Sequence, residues 1–166
     1  MPTLLLDRKS VKALISMRDV IDVVEEVFRL CEQGKGKMPP KVYLAVERGD
    51  FRAMPAAVPG AAGMKWVNVH PQNESRGLPS VMAVLIYSDP ETGYPLAIMD
   101  ATEITAYRTG ATAAIASKYL ARRDSRVIGI VGAGYQAYTQ ILAHAELFDT
   151  ISINPFDTSR AAVDRL

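Results

Sequence analysis

The sequence predicts a mixed α/β chain. An N-terminal α+β domain over residues 1–121 is followed, over 122–166, by the first βαβ unit of a parallel-sheet domain. Three observations predict this. Several short segments between residues 41 and 99 alternate apolar and polar residues with the period of a strand. Thr102–Ala121 carries its small and apolar residues with a period near that of a helix. Gly132-x-Gly134-x-x-Ala137 stands between a buried-type strand and a second helical segment. The 19 Lys+Arg balance 18 Asp+Glu to a net charge of +1, which lacks the basic excess of a dedicated nucleic-acid binder. A hydrophobic share of 49% supports a real core and excludes disorder as a global description.

The elements follow in order. Thr3–Leu6 is a short apolar segment, and a brief helix is expected around Ser10–Ile15. Ser16 with Asp19 three residues later reads as a variant capping box opening the next helix. That helix places Val20, Val23, Val24, Val27 and Cys31 at helical spacing, so Cys31 is expected in the core, and Gln33-Gly34 closes it. Lys41–Val46, Phe51–Val58, Met64–His70, Ser80–Ser88 and Tyr94–Met99 read as strands of a mostly antiparallel meander. Glu47–Asp50, Pro59-Gly60, Asn73–Gly77 and Asp89–Gly93 are its turns. After the Ala- and Thr-rich helix, Arg126–Val131 reads as a strand, followed by a helix to about Phe148. A second strand is expected from about Thr150 to Phe156, and a new helix from Thr158–Ser159. No apolar run reaches the roughly 18 residues of a membrane span, and the N-terminus is charged too early for a signal peptide. Cys31 alone makes no internal disulfide, which suits a reducing cytoplasm, and two histidines with one cysteine do not supply a zinc site.

The glycine motif lies in the context that gives such a motif meaning. Gly132 permits the tight turn, Gly134 lets a pyrophosphate approach the backbone, and Ala137 permits close helix–strand packing, the signature of a Rossmann dinucleotide site. Free N–H groups and the positive dipole end of the helix suit phosphate. Asp157, about 20 residues on, stands where an acid bonds the ribose hydroxyls and repels a 2′-phosphate, so NAD is expected. Pro155 leaves the register open: a slip of three would bring Asn154 to the ribose and let Arg160 serve NADP. A dinucleotide domain has about six parallel strands. The chain supplies one βαβ unit, so it reads as a fragment of a protein about twice as long.

Three cations break the binary pattern. Lys65 shares a strand face with Val67 and Val69. It reads either as a lysine snorkelling from a strand end or as one lining a pocket, where partial burial favours proton exchange with an amine or imine. Arg52 shares a face with Met54 and Ala56, and is either an edge-strand surface arginine or a bidentate carboxylate receptor. Arg108 lies among small residues and serves a substrate carboxylate, a cofactor phosphate or a surface ion pair. His70 and His144 read as structural or solvated, and Trp66 as core or rim.

Together Phe51-Arg52-Ala53-Met54-Pro55, Gly63-Met64-Lys65-Trp66-Val67-Asn68-x-x-Pro71-x-Asn73, Asp100-x-x-x-Ile104-Thr105-Ala106-x-Arg108-Thr109-Gly110-Ala111 and Gly132-x-Gly134-x-Gln136-Ala137 resemble the ornithine cyclodeaminase/mu-crystallin family, nearest its archaeal-type alanine dehydrogenase branch. The resemblance covers the chain from Leu4 onward. It implies a substrate-binding and dimerisation domain before a Rossmann domain, and an NAD- or NADP-dependent enzyme acting on α-amino or α-imino acids as a homodimer. By position it makes Lys65 the catalytic lysine at the amino/imino group and Arg52 the holder of the substrate carboxylate. Ser80, Arg108 and Thr109 would contact the cofactor, Gly132, Gly134, Tyr135 and Gln136 would form the phosphate loop, and Asp157 would be the ribose acid. A family aspartate from the later Rossmann domain falls beyond Leu166. The expected function is oxidative deamination of a small L-amino acid through an imine. The alternatives are ornithine cyclodeamination, ligand binding of the mu-crystallin kind, or an inactive fragment.

Overall fold

The computed structural model describes residues 2–149 and 152–166. Strand β1 (Leu4–Leu6) is followed by helices α1 (Arg8–Leu14) and α2 (Met17–Glu32). Strands β2 (Val42–Val46), β3 (Gly49–Val58), β4 (Ala61–Val69), β5 (Val81–Ser88) and β6 (Pro95–Asp100) come next, with a 3-10 turn at Pro71–Arg76. Helix α3 (Thr102–Leu120) leads to β7 (Val127–Val131), α4 (Tyr135–Leu147), β8 (Ser152–Phe156) and a short α5 (Arg160–Val163). The chain forms two compact units. One comprises the residues up to Leu14 with Val27–Thr105, the other Ile15–Glu26 with Ala106–Leu166.

The first unit is a six-stranded sheet in the order β1-β6-β5-β4-β3-β2. The expected meander is there as four antiparallel pairings, and β1 adds in parallel beside β6. The four residues Thr3–Leu6 are too few to show a period, so their pairing is not legible in the sequence. Side chains alternate, so the register decides what shares a face. Val67, Ala83, Met54 and Leu85 lie on one face and pack with Ala101 and Ile104 from the start of α3. The opposite face carries Val42, Leu44, Trp66, Val84, Ile98 and Leu5, all exposed. Buried Glu103, 1% exposed, accepts the Arg8 guanidinium at 2.7 Å, joining α1 to the first turn of α3.

In α2 the capping box forms: the Asp19 N–H donates to Ser16 Oγ at 3.1 Å, and that hydroxyl donates to Asp19 Oδ2 at 2.6 Å. The helix ends with Gly34 left-handed at φ +70°. Gly34 and Lys35 N–H groups close back on Cys31 and Leu30, a Schellman cap. The buried line of α2 is Met17, Ile21 and Glu25, not the valine stripe, and Val23 and Cys31 are exposed. The expectation that Cys31 packs in the core is therefore corrected. The buried line lies a little over a quarter turn from the Val20–Cys31 stripe at about 100° per residue, and Cys31 sits in the last turn. Glu25 is buried because Lys118 and Tyr119 of α3 satisfy it, with Lys118 Nζ at 2.8 Å.

In the second unit β7 and β8 pair in parallel. Met17, Ile21, Ala111, Ala114, Ile115 and Ala143 form its core. Small residues let α3 and α4 approach closely: a Cβ on Gly110 would lie 2.4 Å from the Thr139 carbonyl oxygen. Because that neighbour is backbone, Gly110→Ala is expected to cost about 1–3 kcal/mol through forced helix separation. A thermal melt reads this, and an unchanged midpoint would show that the helices part freely. Thr150 and Ile151, part of the expected second strand, lie outside the described residues. Among the described residues no helix is long and apolar enough to cross a membrane.

Candidate functional site

On the inner face of the sheet, β3 and β4 pair with Met54 opposite Lys65 and Arg52 opposite Val67. Arg52 and Lys65 are therefore diagonal neighbours on one face, a relation that spans about 7–8 Å and lies within reach of long side chains. Neither residue's strand position shows this alone; the hairpin at Pro59-Gly60, with Gly60 at φ +78°, sets the register. Lys65 is half-buried, flanked across the ladder by Met54 and Leu85 and followed on its own face by buried Val67.

Arg52 is held on two sides. Its Nε donates to Asp50 Oδ1 at 2.6 Å and its Nη2 to Asp50 Oδ2 at 3.0 Å. Its guanidinium carbon lies 5.1 Å from the ring centre of Tyr43, the residue directly opposite on β2. The Arg52 hydrogen bond draws the Asp50 carboxyl below its usual range, and the same bond raises Arg52. Sequence reasoning missed Asp50, although opposite charges two apart on a strand are a readable signal. Ser80 lies just before β5, its hydroxyl 3.3 Å from Glu74 Oε1.

In the second unit the glycine loop has distinct requirements at its two glycines. Gly132 adopts φ +95°, which L side chains rarely take. Gly134 is the N-cap of α4 at φ −84° and ψ −172°, an ordinary extended conformation, and a Cβ there would meet nothing. The open space over Gly134, together with a helix N-terminus lacking a side-chain cap, suits a phosphate rather than a side chain. A groove of about 410 Å³ runs past Gly132, Gly134, Gln136 and Gln140. Tyr135 and Gln136 are exposed at the first turn of α4, and Tyr135 stacks on Tyr138 with ring centres 6.3 Å apart.

Asp157 follows β8 directly. Its Oδ2 accepts the Ala133 N–H at 2.7 Å and its Oδ1 the Ser159 N–H at 2.8 Å. In the register Pro155 pairs with Ile130 and Asn154 with Gly129, and Asp157 stands at the loop. Arg160 is engaged with Asp164 at 2.9 Å. Bonds from Ala133 first, then Ser159, hold the Asp157 carboxyl below its ordinary range. A lowered folded value means its contribution is complete above the unfolded carboxylate value of about 3.9 and is lost as pH falls through the folded one. Asp157→Asn is expected to flatten the acid limb of stability against pH below about 4, read by thermal melts. A limb identical to wild type would remove this role.

Arg108 and Thr109 lie in the second turn of α3. Desolvation pulls Arg108 below the usual arginine value, and among the described residues no carboxylate pairs with it. The surface ion pair considered for it is absent among the described residues. His144 is structural: its Nδ1–H faces the Gln140 carbonyl at 2.8 Å, so Nε2 accepts the Ser117 hydroxyl at 2.9 Å. His70 lies 3.1 Å from the Asn68 amide and stacks edge-on to Phe51.

A glycine-loop βαβ unit and a sheet carrying paired cations define the class of site. The chain belongs to the ornithine cyclodeaminase/mu-crystallin family, whose model matches residues 1–166. Among curated relatives, the Archaeoglobus fulgidus alanine dehydrogenase is 52% identical over 99% of this chain and 51% of its own length. The Agrobacterium fabrum ornithine cyclodeaminase is 38% identical over 86% of this chain and 40% of its own. Among solved structures, an archaeal alanine dehydrogenase dimer with bound NAD superposes with TM-score 0.96 at 52% identity, covering 99% of this chain and 52% of that one. Thermococcus litoralis Δ1-pyrroline-2-carboxylate reductase, in complex with NADH and L-proline, gives TM-score 0.95 at 41% identity, covering 98% and 52%. The chain spans about half the length of the curated relatives it matches.

Proposed function

We propose that this chain contributes the substrate-side residues and the phosphate loop of an NAD-dependent oxidoreductase that deaminates a small L-amino acid oxidatively. The observation that carries the reading is the diagonal pairing of Arg52 and Lys65 on one sheet face. A guanidinium there holds the substrate carboxylate, and the adjacent lysine, as its neutral amine, takes a proton from the substrate ammonium. Bound there, NAD would supply the hydride acceptor for the substrate Cα. Lys65 takes a proton as the amine becomes an imine, and water then yields a keto acid and ammonia. Gly132, Gly134, Tyr135 and Gln136 hold the pyrophosphate, and Asp157 takes the ribose hydroxyls and disfavours a 2′-phosphate. Arg108, Thr109 and Ser80 complete the contacts to the cofactor. Residues 1–121 serve substrate binding and dimerisation, and 122–166 carry the phosphate loop of the cofactor site. Greater identity to the alanine dehydrogenase than to the cyclodeaminase supports the small substrate. Titration with NADH and NADPH tests the cofactor reading: NADH is expected to bind at least about tenfold tighter, a gap of about 1.4 kcal/mol. Equal affinities would overturn the role of Asp157.

A homodimer fits the outer face of the sheet, where Leu5, Val42 and Leu44 are 77%, 66% and 54% exposed. A continuous apolar sheet face of this kind marks an interaction surface. Leu44→Lys with Val84→Lys is expected to convert a dimer to monomer at micromolar concentration, read by sedimentation. A dimer that survives both changes places the interface elsewhere.

A further inference from the structure

We propose that Asp50 is a positioning residue for the substrate carboxylate: by taking the Nε/Nη2 edge of Arg52, it leaves the terminal Nη1/Nη2 edge as a fixed fork for a second carboxylate. The inference rests on the proposed role of Arg52 and extends it to a residue that neither the motifs nor the resemblance assigns. A guanidinium has five N–H donors arranged along two usable edges. Asp50 occupies one edge at 2.6 and 3.0 Å. Among the described residues no hydrogen bond or ion pair occupies Nη1, and 28% of the Arg52 side chain remains exposed. The guanidinium carbon also lies over the Tyr43 ring, 5.1 Å from its centre. Two bonds to one carboxylate and a ring beside it restrict rotation of the fork. Asp50, Arg52 and Tyr43 share the inner face because β2 and β3 register Tyr43 against Arg52, and Asp50 lies two residues before Arg52. A fork already ordered binds its anion without the cost of immobilising it.

The geometry also separates this role from competition. If Asp50 occupied the substrate's own edge, its removal would tighten anion binding. If it only orders the fork, its removal weakens binding.

The test uses the whole gene product saturated with NADH, without ammonia so that no turnover occurs, and titrates pyruvate as the carboxylate probe. Asp50→Asn keeps the size but sets an amide N–H₂ against one guanidinium N–H. The expected result is a pyruvate Kd raised roughly tenfold, partly restored in Asp50→Glu. NADH affinity and the thermal midpoint should stay near wild type. In steady state the same variant should raise KM for the amino acid and leave kcat within about twofold, a split that a merely structural defect does not produce. An unchanged or lowered pyruvate Kd in Asp50→Asn, with binding lost in Arg52→Met, overturns the role of Asp50 alone. An unchanged Kd in Arg52→Met overturns the reading of Arg52 on which it rests.

Discussion

Replacing Lys65 with alanine is expected to lower amino-acid oxidation by roughly 10²–10⁴-fold, the range of a lost general acid–base group. The pairing of Lys65 with Met54 and Leu85 and its half-burial beside Val67 place an ammonium on the face that packs the core. A lysine kept there only to cover apolar surface would, on truncation, change stability and leave kcat unchanged. A lysine that moves a proton at the substrate nitrogen cannot be removed without loss of kcat. NADH affinity should remain within about twofold, because Lys65 is not among the residues proposed to hold the cofactor. Retained turnover in Lys65→Ala would reassign the acid–base role. Retained ligand affinity in a protein with no turnover even as wild type would favour a binding function of the mu-crystallin kind.

Replacing Gly134 with valine is expected to weaken NADH binding about 100-fold without destabilising the fold. The backbone there is extended and a Cβ meets nothing, so valine is accommodated within about ±0.5 kcal/mol. Its methyl groups fill the space through which a pyrophosphate reaches the N–H groups of α4. Losing two such charge-assisted bonds, at about 1.5–3 kcal/mol each, gives at least that factor. Gly132→Val makes the informative contrast. At φ +95° the strain is about 1–3 kcal/mol, so that variant loses stability as well as affinity. If Gly134→Val binds NADH as wild type does, the loop is not the phosphate site.

Much of the fold was legible because its signals are local. Alternation located β2 to β6, Ser16 with Asp19 located the start of α2, and the glycine motif located the β7–α4 turn. Signals that depend on partners were not legible. Leu4–Leu6 becomes a strand only because β6 offers an edge, and Glu25 is buried only because Lys118 and Tyr119 satisfy it. The valine stripe of α2 misplaced Cys31, since hydrophobic period marks a favoured face but tertiary packing selects the buried one. The candidate site divides in the same way. Lys65 and Arg52 stood out as charges on apolar faces, yet their diagonal relation needed the register, and Asp50 was readable only as an opposite charge two residues from Arg52, at the edge of an expected turn.

The central claim is tested most directly by NADH formation in the whole gene product, with L-alanine and L-ornithine offered separately alongside NAD. The account predicts NADH with L-alanine, with pyruvate and ammonia released in equal amounts, and little with L-ornithine. Preferred turnover of L-ornithine to proline and ammonia would move the protein to the cyclodeaminase side of its family. No NADH with either amino acid, in a protein that binds NADH, would contradict the oxidoreductase reading.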